Sequence, residues 1–168
     1  MWIAAGGAAT TKKGDCRNCE EPGPYIHTGS ALVDAGVRVN RQMDGGVEFM
    51  WVPGEASTGD QNRVTLLLAV AQFRPWSSQG FFIKGGMGMG FVRNWVYTGG
   101  ADTKPPYTSK ALSVMYGGGW EFLRGRRLGV EVYGVHHAVA LGDLQTSTFL
   151  AENIMGNLWS AGAAIVIR

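Results

Sequence analysis

His136 and His137 are the residues of this chain best suited to acid–base work, because imidazole alone titrates near neutrality without help from its surroundings. A histidine base can activate a hydroxyl only from within hydrogen-bond reach of it. No serine stands one or two residues from the pair, and in an extended chain only one of two adjacent side chains can point inward. The pair therefore reads as one interior and one interfacial histidine, with a histidine-dependent lipid-modifying enzyme kept as the alternative. Cys16-x-x-Cys19 admits three chemistries. A redox pair needs a helix N-terminus, which nothing nearby supplies, and a zinc site needs two further ligands where only the distant His27 is on offer. A disulfide stapling a loop is the favoured reading. Gly85-Gly86-x-Gly88-x-Gly90 looks superficially like a dinucleotide loop, but no helix follows it to receive a phosphate.

The remaining chemistry-bearing residues are charges: Lys84, Glu121, Glu131, Glu48, Asp34 and Arg38, joined by Arg74 and Asp44. Their positions fall on one face of alternating segments, toward the ends that meet short turns. Acid and base alternate across neighbouring segments, and so narrow an interior tolerates charge only when it is paired. We expect an interior salt-bridge network, with Lys84 held between Glu121 and Glu131. An ion path or proton relay is the functional alternative.

The segment that best shows the required element is 80–97, GFFIKGGMGMGFVRNWVY. Its odd positions are large and apolar with aromatics at both ends; its even positions are mostly glycine, with Lys84 among them. A greasy outer face bracketed by aromatics suits lipid, and a small inner face suits a narrow closed barrel. The same alternation marks strands over 2–11, 25–39, 42–52, 62–74, 109–123, 128–141 and 154–168. In 62–74 both faces are apolar; Gln72 and Arg74 are placed inward because lipid-facing arginine is costly. Connections alternate long and short, which gathers the short turns, and both termini, at one end. Trp51, Phe81, Trp95, Tyr97, Trp120, Phe122 and Trp159 all point outward near strand ends, as an aromatic girdle requires. The prediction is an all-β, eight-stranded antiparallel up-and-down transmembrane barrel forming a single domain over 1–168.

Composition agrees. The chain has 168 residues, 26 of them glycine, and 17% are charged, against roughly 25% in a soluble domain. A net charge of +2 with scattered bases argues against nucleic acid. The longest aliphatic run, 66–71, falls far short of the about 20 residues of a spanning helix. The N-terminus carries no signal-peptide pattern, so a mature form with its signal removed is expected.

The segments CRNC, LAVAQFRPW into FFIKGGMGMG, GGGWEFLRGRRLGVEVYG and LWSAGAAIVIR resemble the small eight-stranded bacterial outer-membrane barrels of the OmpA/OmpX/OmpW type. Members of that group usually finish on an aromatic residue, whereas this chain finishes on Arg168. The resemblance implies a bacterial outer-membrane location, lipid as the surrounding partner and no cofactor or metal. It leaves open whether the long loops meet a protein or another surface. The His-x-Ser-Asn run of barrel lipid A deacylases is absent. The expected function is a structural or surface-interaction barrel, not an enzyme. A soluble lipocalin-like binder of an apolar ligand is the third reading; it needs an apolar interior, where a charged, glycine-rich one is predicted.

Overall fold

The computed structural model describes residues 1–15, 25–54, 63–76, 80–94, 107–125, 127–145 and 150–168. Eight strands run in chain order: β1 (Trp2–Asp15), β2 (Ile26–Arg38), β3 (Met43–Val52), β4 (Arg63–Phe73), β5 (Phe81–Asn94), β6 (Tyr107–Arg124), β7 (Leu128–Gln145) and β8 (Leu150–Ile167). Each pairs antiparallel with its neighbour, and β1 pairs with β8, so the sheet closes on itself. Closure leaves no unpaired edge, which an apolar outer face demands.

Alternation decides which way every strand faces. On β3, Asp44, Glu48 and Met50 are buried while Met43, Val47, Phe49 and Trp51 are exposed. Gln72 on β4 and Arg74 just past its end point inward as expected, and they bring Val64, Leu66, Leu68 and Val70 with them. The β2–β3 turn is fixed by Asn40, whose Oδ1 accepts from the backbone N–H groups of Gln42 (2.8 Å) and Met43 (2.9 Å). Such a side chain mimics a turn carbonyl, which is why asparagine favours the position. Gly80 has φ of 74°, and its carbonyl accepts from the Glu121 N–H at 3.0 Å.

Inward glycines let the wall curve. A Cβ on Gly88 would lie 2.1 Å from the Leu67 carbonyl oxygen, and one on Gly117 would lie 2.2 Å from that of Gly134. Nothing larger than hydrogen fits where neighbouring backbones approach so closely.

Strands run further toward the loops than the alternation predicts, β1 to Asp15 and β6 from Tyr107, and the last connection shrinks most. The segment 142–153 is polar and was expected to be a loop, yet β7 continues to Gln145 and β8 begins at Leu150. Register shifts at Ala140/Gly142 and Gly142/Leu144 accompany the extension. Polarity marks where an apolar surround ends, whereas strand pairing continues into water.

Candidate functional site: the barrel interior and its outer belt

The turn-side half of the interior is ionic. Arg74 is buried and bridges two acids, giving Nε to Asp44 Oδ2 and Nη1 to Glu121 Oε2, both at 3.1 Å. The second oxygen of Glu121 receives the Arg168 guanidinium, so the terminal residue enters the network. Arg38 reaches Asp44 at 3.1 Å from the rim, where half of its side chain is exposed. Deeper in, Lys84 Nζ lies 2.5 Å from Asp34 Oδ2 and 2.6 Å from Glu48 Oε2. Glu48 Oε1 in turn lies 3.2 Å from Nε2 of His137, which is fully buried.

This arrangement corrects the expected pairing. Lys84 was expected between Glu121 and Glu131, but its ion pairs go to Asp34 on β2 and Glu48 on β3. Glu121 and Glu131 are registered opposite each other instead, and Glu121 is held by arginines. The register explains the error. Lys84 stands beside Gly117 of β6, while the Glu121 N–H bonds to Gly80, four residues nearer the turn. The lysine therefore reaches across the interior, over a glycine-lined neighbour, to acids on strands it does not pair with.

A second correction concerns the loop-side half of the interior. It is largely aliphatic, with glycine confined to its β5 wall: Leu32, Met50, Leu66, Leu68, Met115, Val139 and Leu158 meet there with at most 3% exposure, beside Gly88 and Gly90. Between the halves, Thr10 Oγ1 lies 2.7 Å from Ser30 Oγ and 2.8 Å from Ser160 Oγ, joining β2, β1 and β8 by hydroxyls. Alternation alone turns all three inward, Ser30 on β2, Thr10 on β1 and Ser160 on β8.

The two adjacent histidines separate as alternation requires. His137 faces Glu48; His136 faces out, stacked between Tyr116 and Trp159 at centroid distances of 5.1 and 5.0 Å, with Nε2 3.1 Å from Asn157 Oδ1. Thr11 Oγ1 lies 2.9 Å from His27 Nδ1 on the outer face, a hydroxyl–imidazole pair that the sequence reading missed. It arises because Thr11 and His27 are direct cross-strand partners, which spacing along the chain does not reveal. Among the described residues no carboxylate orients that ring from its far side, as a base poised for nucleophile activation needs.

Outward aromatics form two rows. On the turn side, Trp76 and Phe81 are 6.1 Å apart, Phe81 and Trp120 are 6.2 Å apart, and Phe73 and Phe122 are exposed nearby. On the loop side, Trp51, Tyr116, His136 and Trp159 each stand eight residues from the turn-side end of their strand. Phe81 and Phe91 stand ten residues apart on β5, whereas Trp120 and Tyr116 stand four apart on β6; at about 3.3 Å per residue and a tilt of about 40°, the two sets are separated by about 10 to 25 Å around the barrel. Trp95 and Tyr97, and the cysteines Cys16 and Cys19, lie outside the described residues. Between Phe81 and Phe91 the outer face of β5 is apolar, with Ile83, Met87 and Met89 exposed.

Depth gives a graded prediction. Met87 lies between Phe81 and Phe91 on β5, whereas Val132 is the cross-strand partner of Trp120 and so lies near the turn end. Met87→Arg should cost about 2–4 kcal/mol of unfolding free energy from a bilayer, and Val132→Arg no more than about 1 kcal/mol. Equal costs at both positions, read from denaturant titrations in vesicles, would mean that the two residues do not differ in depth.

Comparison with known proteins follows the same line. No protein-family model matches the sequence, and no curated protein matches it. Solved structures do match. The crystal structure of Neisserial surface protein A superposes with a TM-score of 0.61 at 16% identity, covering 98% of this chain and 96% of that one. Ail, the attachment invasion locus protein of Yersinia pestis, superposes with a TM-score of 0.59 at 11% identity, covering 99% and 98%. Ail was also solved in complex with the heparin analogue sucrose octasulfate; that structure superposes at 0.52. The fold of this chain is that of the small eight-stranded outer-membrane barrels.

Proposed function

We propose that this chain is an integral bacterial outer-membrane barrel that conducts nothing and serves as a rigid mount for the segments at its loop end. The observation that carries the reading is the outer face: apolar side chains between two aromatic rows on a barrel with no open edge. The interior supports a mount over a pore, because salt bridges fill one half and packed aliphatic side chains the other. A surface-interaction role follows from the same division of labour, since a rigid wall leaves recognition to the loops. The likeness to Ail, which holds a heparin analogue in one of its structures, is in keeping with such a role. The bonds of His136 and His137 to Asn157 and Glu48 favour a structural use of both over a catalytic one.

Two measurements test this. Reconstituted in planar bilayers, the protein should give no stable conductance steps; a steady open channel would overturn the filled interior. Proteinase K added to intact cells should cut within 95–106 or 16–24 and leave a protected strand core. Cleavage only after the outer membrane is permeabilised would overturn the outward placement of the loops.

A further inference from the structure

Three guanidinium groups and two carboxylates form a ladder around the turn-side mouth of the barrel. Asp44 holds Arg38 and Arg74, and Glu121 holds Arg74 and Arg168, so both acids are taken and both ends of the ladder are arginines. Arg74, in the middle, is buried and lies 5.5 Å from the centroid of the Phe82 ring. The end residues keep contact with water: 52% of the Arg38 side chain and 22% of the Arg168 side chain are exposed. A guanidinium group carries five N–H donors, and one ion pair leaves most of them to other partners.

The ladder stops on either side of β1. That strand alone separates β2 from β8, so two interstrand spacings, about 10 Å, lie between the strand ends that carry Arg38 and Arg168. Each has a second exposed arginine beside it: Arg41 follows Arg38 in the β2–β3 turn, and the Arg127 carbonyl accepts from the Arg168 N–H at 3.0 Å. Between the two pairs stands Trp2, packed inward with its ring over Gly36, where an added Cβ would meet it at 2.7 Å. The Trp2 Nε1–H is buried and has no acceptor among the described residues. Indole can only donate, and a buried donor left unmet is costly. No exposed acid competes for these donors, because the acids whose side chains are described, Asp34, Asp44, Glu48, Glu121 and Glu131, are all buried. Ile3 pairs with Ile167, so any charges of the chain ends come here as an opposite pair.

Donors without acceptors, under cations from two sides, suit an anion with several oxygens. Guanidinium forks bind such oxygens through paired hydrogen bonds, and a multivalent ion between the two arginine pairs turns their repulsion into attraction. We propose that the turn-side mouth binds a small multivalent oxyanion of the pyrophosphate class. Arg38 and Arg41 hold it from one side, Arg127 and Arg168 from the other, and the Trp2 N–H donates from between. Bilayer phosphates are not its source, because Arg38, Trp2 and Arg168 turn toward the interior and lipid lies outside the wall. The site needs the barrel and not the membrane, so its failure would leave the mount reading standing.

Calorimetric titration of sodium pyrophosphate into the barrel, held in phosphatidylcholine nanodiscs, tests the site. The wild type should bind one pyrophosphate per chain, at least about tenfold more tightly than acetate at equal ionic strength. Arg38→Gln/Arg41→Gln/Arg127→Gln should lose at least about tenfold in affinity while keeping the heat-dependent gel shift of a folded barrel. Arg168 is left in place there because it holds Glu121. Trp2→Phe should lose about fivefold, as expected for one hydrogen bond. Arg63→Gln/Lys110→Gln, at the loop end, should match the wild type. Uptake that does not saturate, or unchanged affinity in either the arginine or the tryptophan variant, would overturn the site. Displacement of pyrophosphate by phosphatidic acid added to the bilayer would overturn it too, since a headgroup would then be the occupant.

Discussion

Replacing Lys84 by methionine should destabilise the folded barrel by about 3–5 kcal/mol, the range for removing one partner of a buried ionic network. Asp34 and Glu48 are cross-strand partners, and the ammonium group bridges them at 2.5 and 2.6 Å. Without it, two carboxylates buried to within 1% exposure face each other. Neutralising them should therefore return part of the loss: Lys84→Met with Asp34→Asn and Glu48→Gln is expected to be more stable than Lys84→Met alone. Glu121→Gln should give no such relief, because Glu121 belongs to Arg74 and Arg168. The measurement is a double-mutant cycle on urea unfolding from lipid vesicles. Strict additivity of Lys84→Met with Asp34→Asn and Glu48→Gln, or rescue by Glu121→Gln, would contradict the network.

Adding an isopropyl group at Gly88 should be nearly as damaging, for a reason unrelated to charge. Gly88 pairs with Leu68 across the β4–β5 seam, and a Cβ there would meet the Leu67 carbonyl oxygen at 2.1 Å and the Leu68 Cα at 2.8 Å. Backbone atoms tied into a ladder have nowhere to go, so Gly88→Val should cost at least about 3 kcal/mol, at or above the usual range for overpacking. Gly134 is the control: a Cβ there meets nothing within 4 Å, because the residue opens onto an outer groove walled by Phe81, Trp120 and Val132. Gly134→Val should change unfolding by less than about 1 kcal/mol. Comparable losses at both glycines would mean that the cost reflects valine itself and not the inward curvature of the wall.

The facing of the strands was legible in the sequence because its period is two and its exceptions are costly. Gln72 and Arg74 settled β4 although both of its faces are apolar, and the structure buries both. What the sequence did not disclose is who meets whom across the interior. Lys84 has Gly117 and Gln72 as its sheet neighbours, neither of which is an acid, and its partners come from two strands with which β5 shares no hydrogen bonds. Counting residues from a turn ignores the stagger that closing a sheet imposes. The loop-side core was underestimated for a simpler reason. Leu32, Met50 and Met115 fall on the inward face by simple alternation, but Leu66 and Leu68, which complete that layer, lie in the one strand without polar alternation at its centre.

The pairing of β1 with β8 sets an order on folding. Ile3 meets Ile167, so the seam joins residues from opposite ends of the chain, while every other pair joins consecutive strands. Loop-closure entropy delays contacts of such high sequence separation until the shorter hairpins have brought the ends together. Until then β1 and β8 are two open edges, the arrangement most prone to pairing with another chain. Along the middle of the seam the outward positions Gly7 and Ala9 of β1 meet Ala163 and Ala161 of β8, while Ile3, Ile165 and Ile167 stand at its turn end and Trp159 at its loop end. Small side chains in the middle give a foreign strand little to grip there, so what the waiting edges offer a neighbour is confined to their two ends.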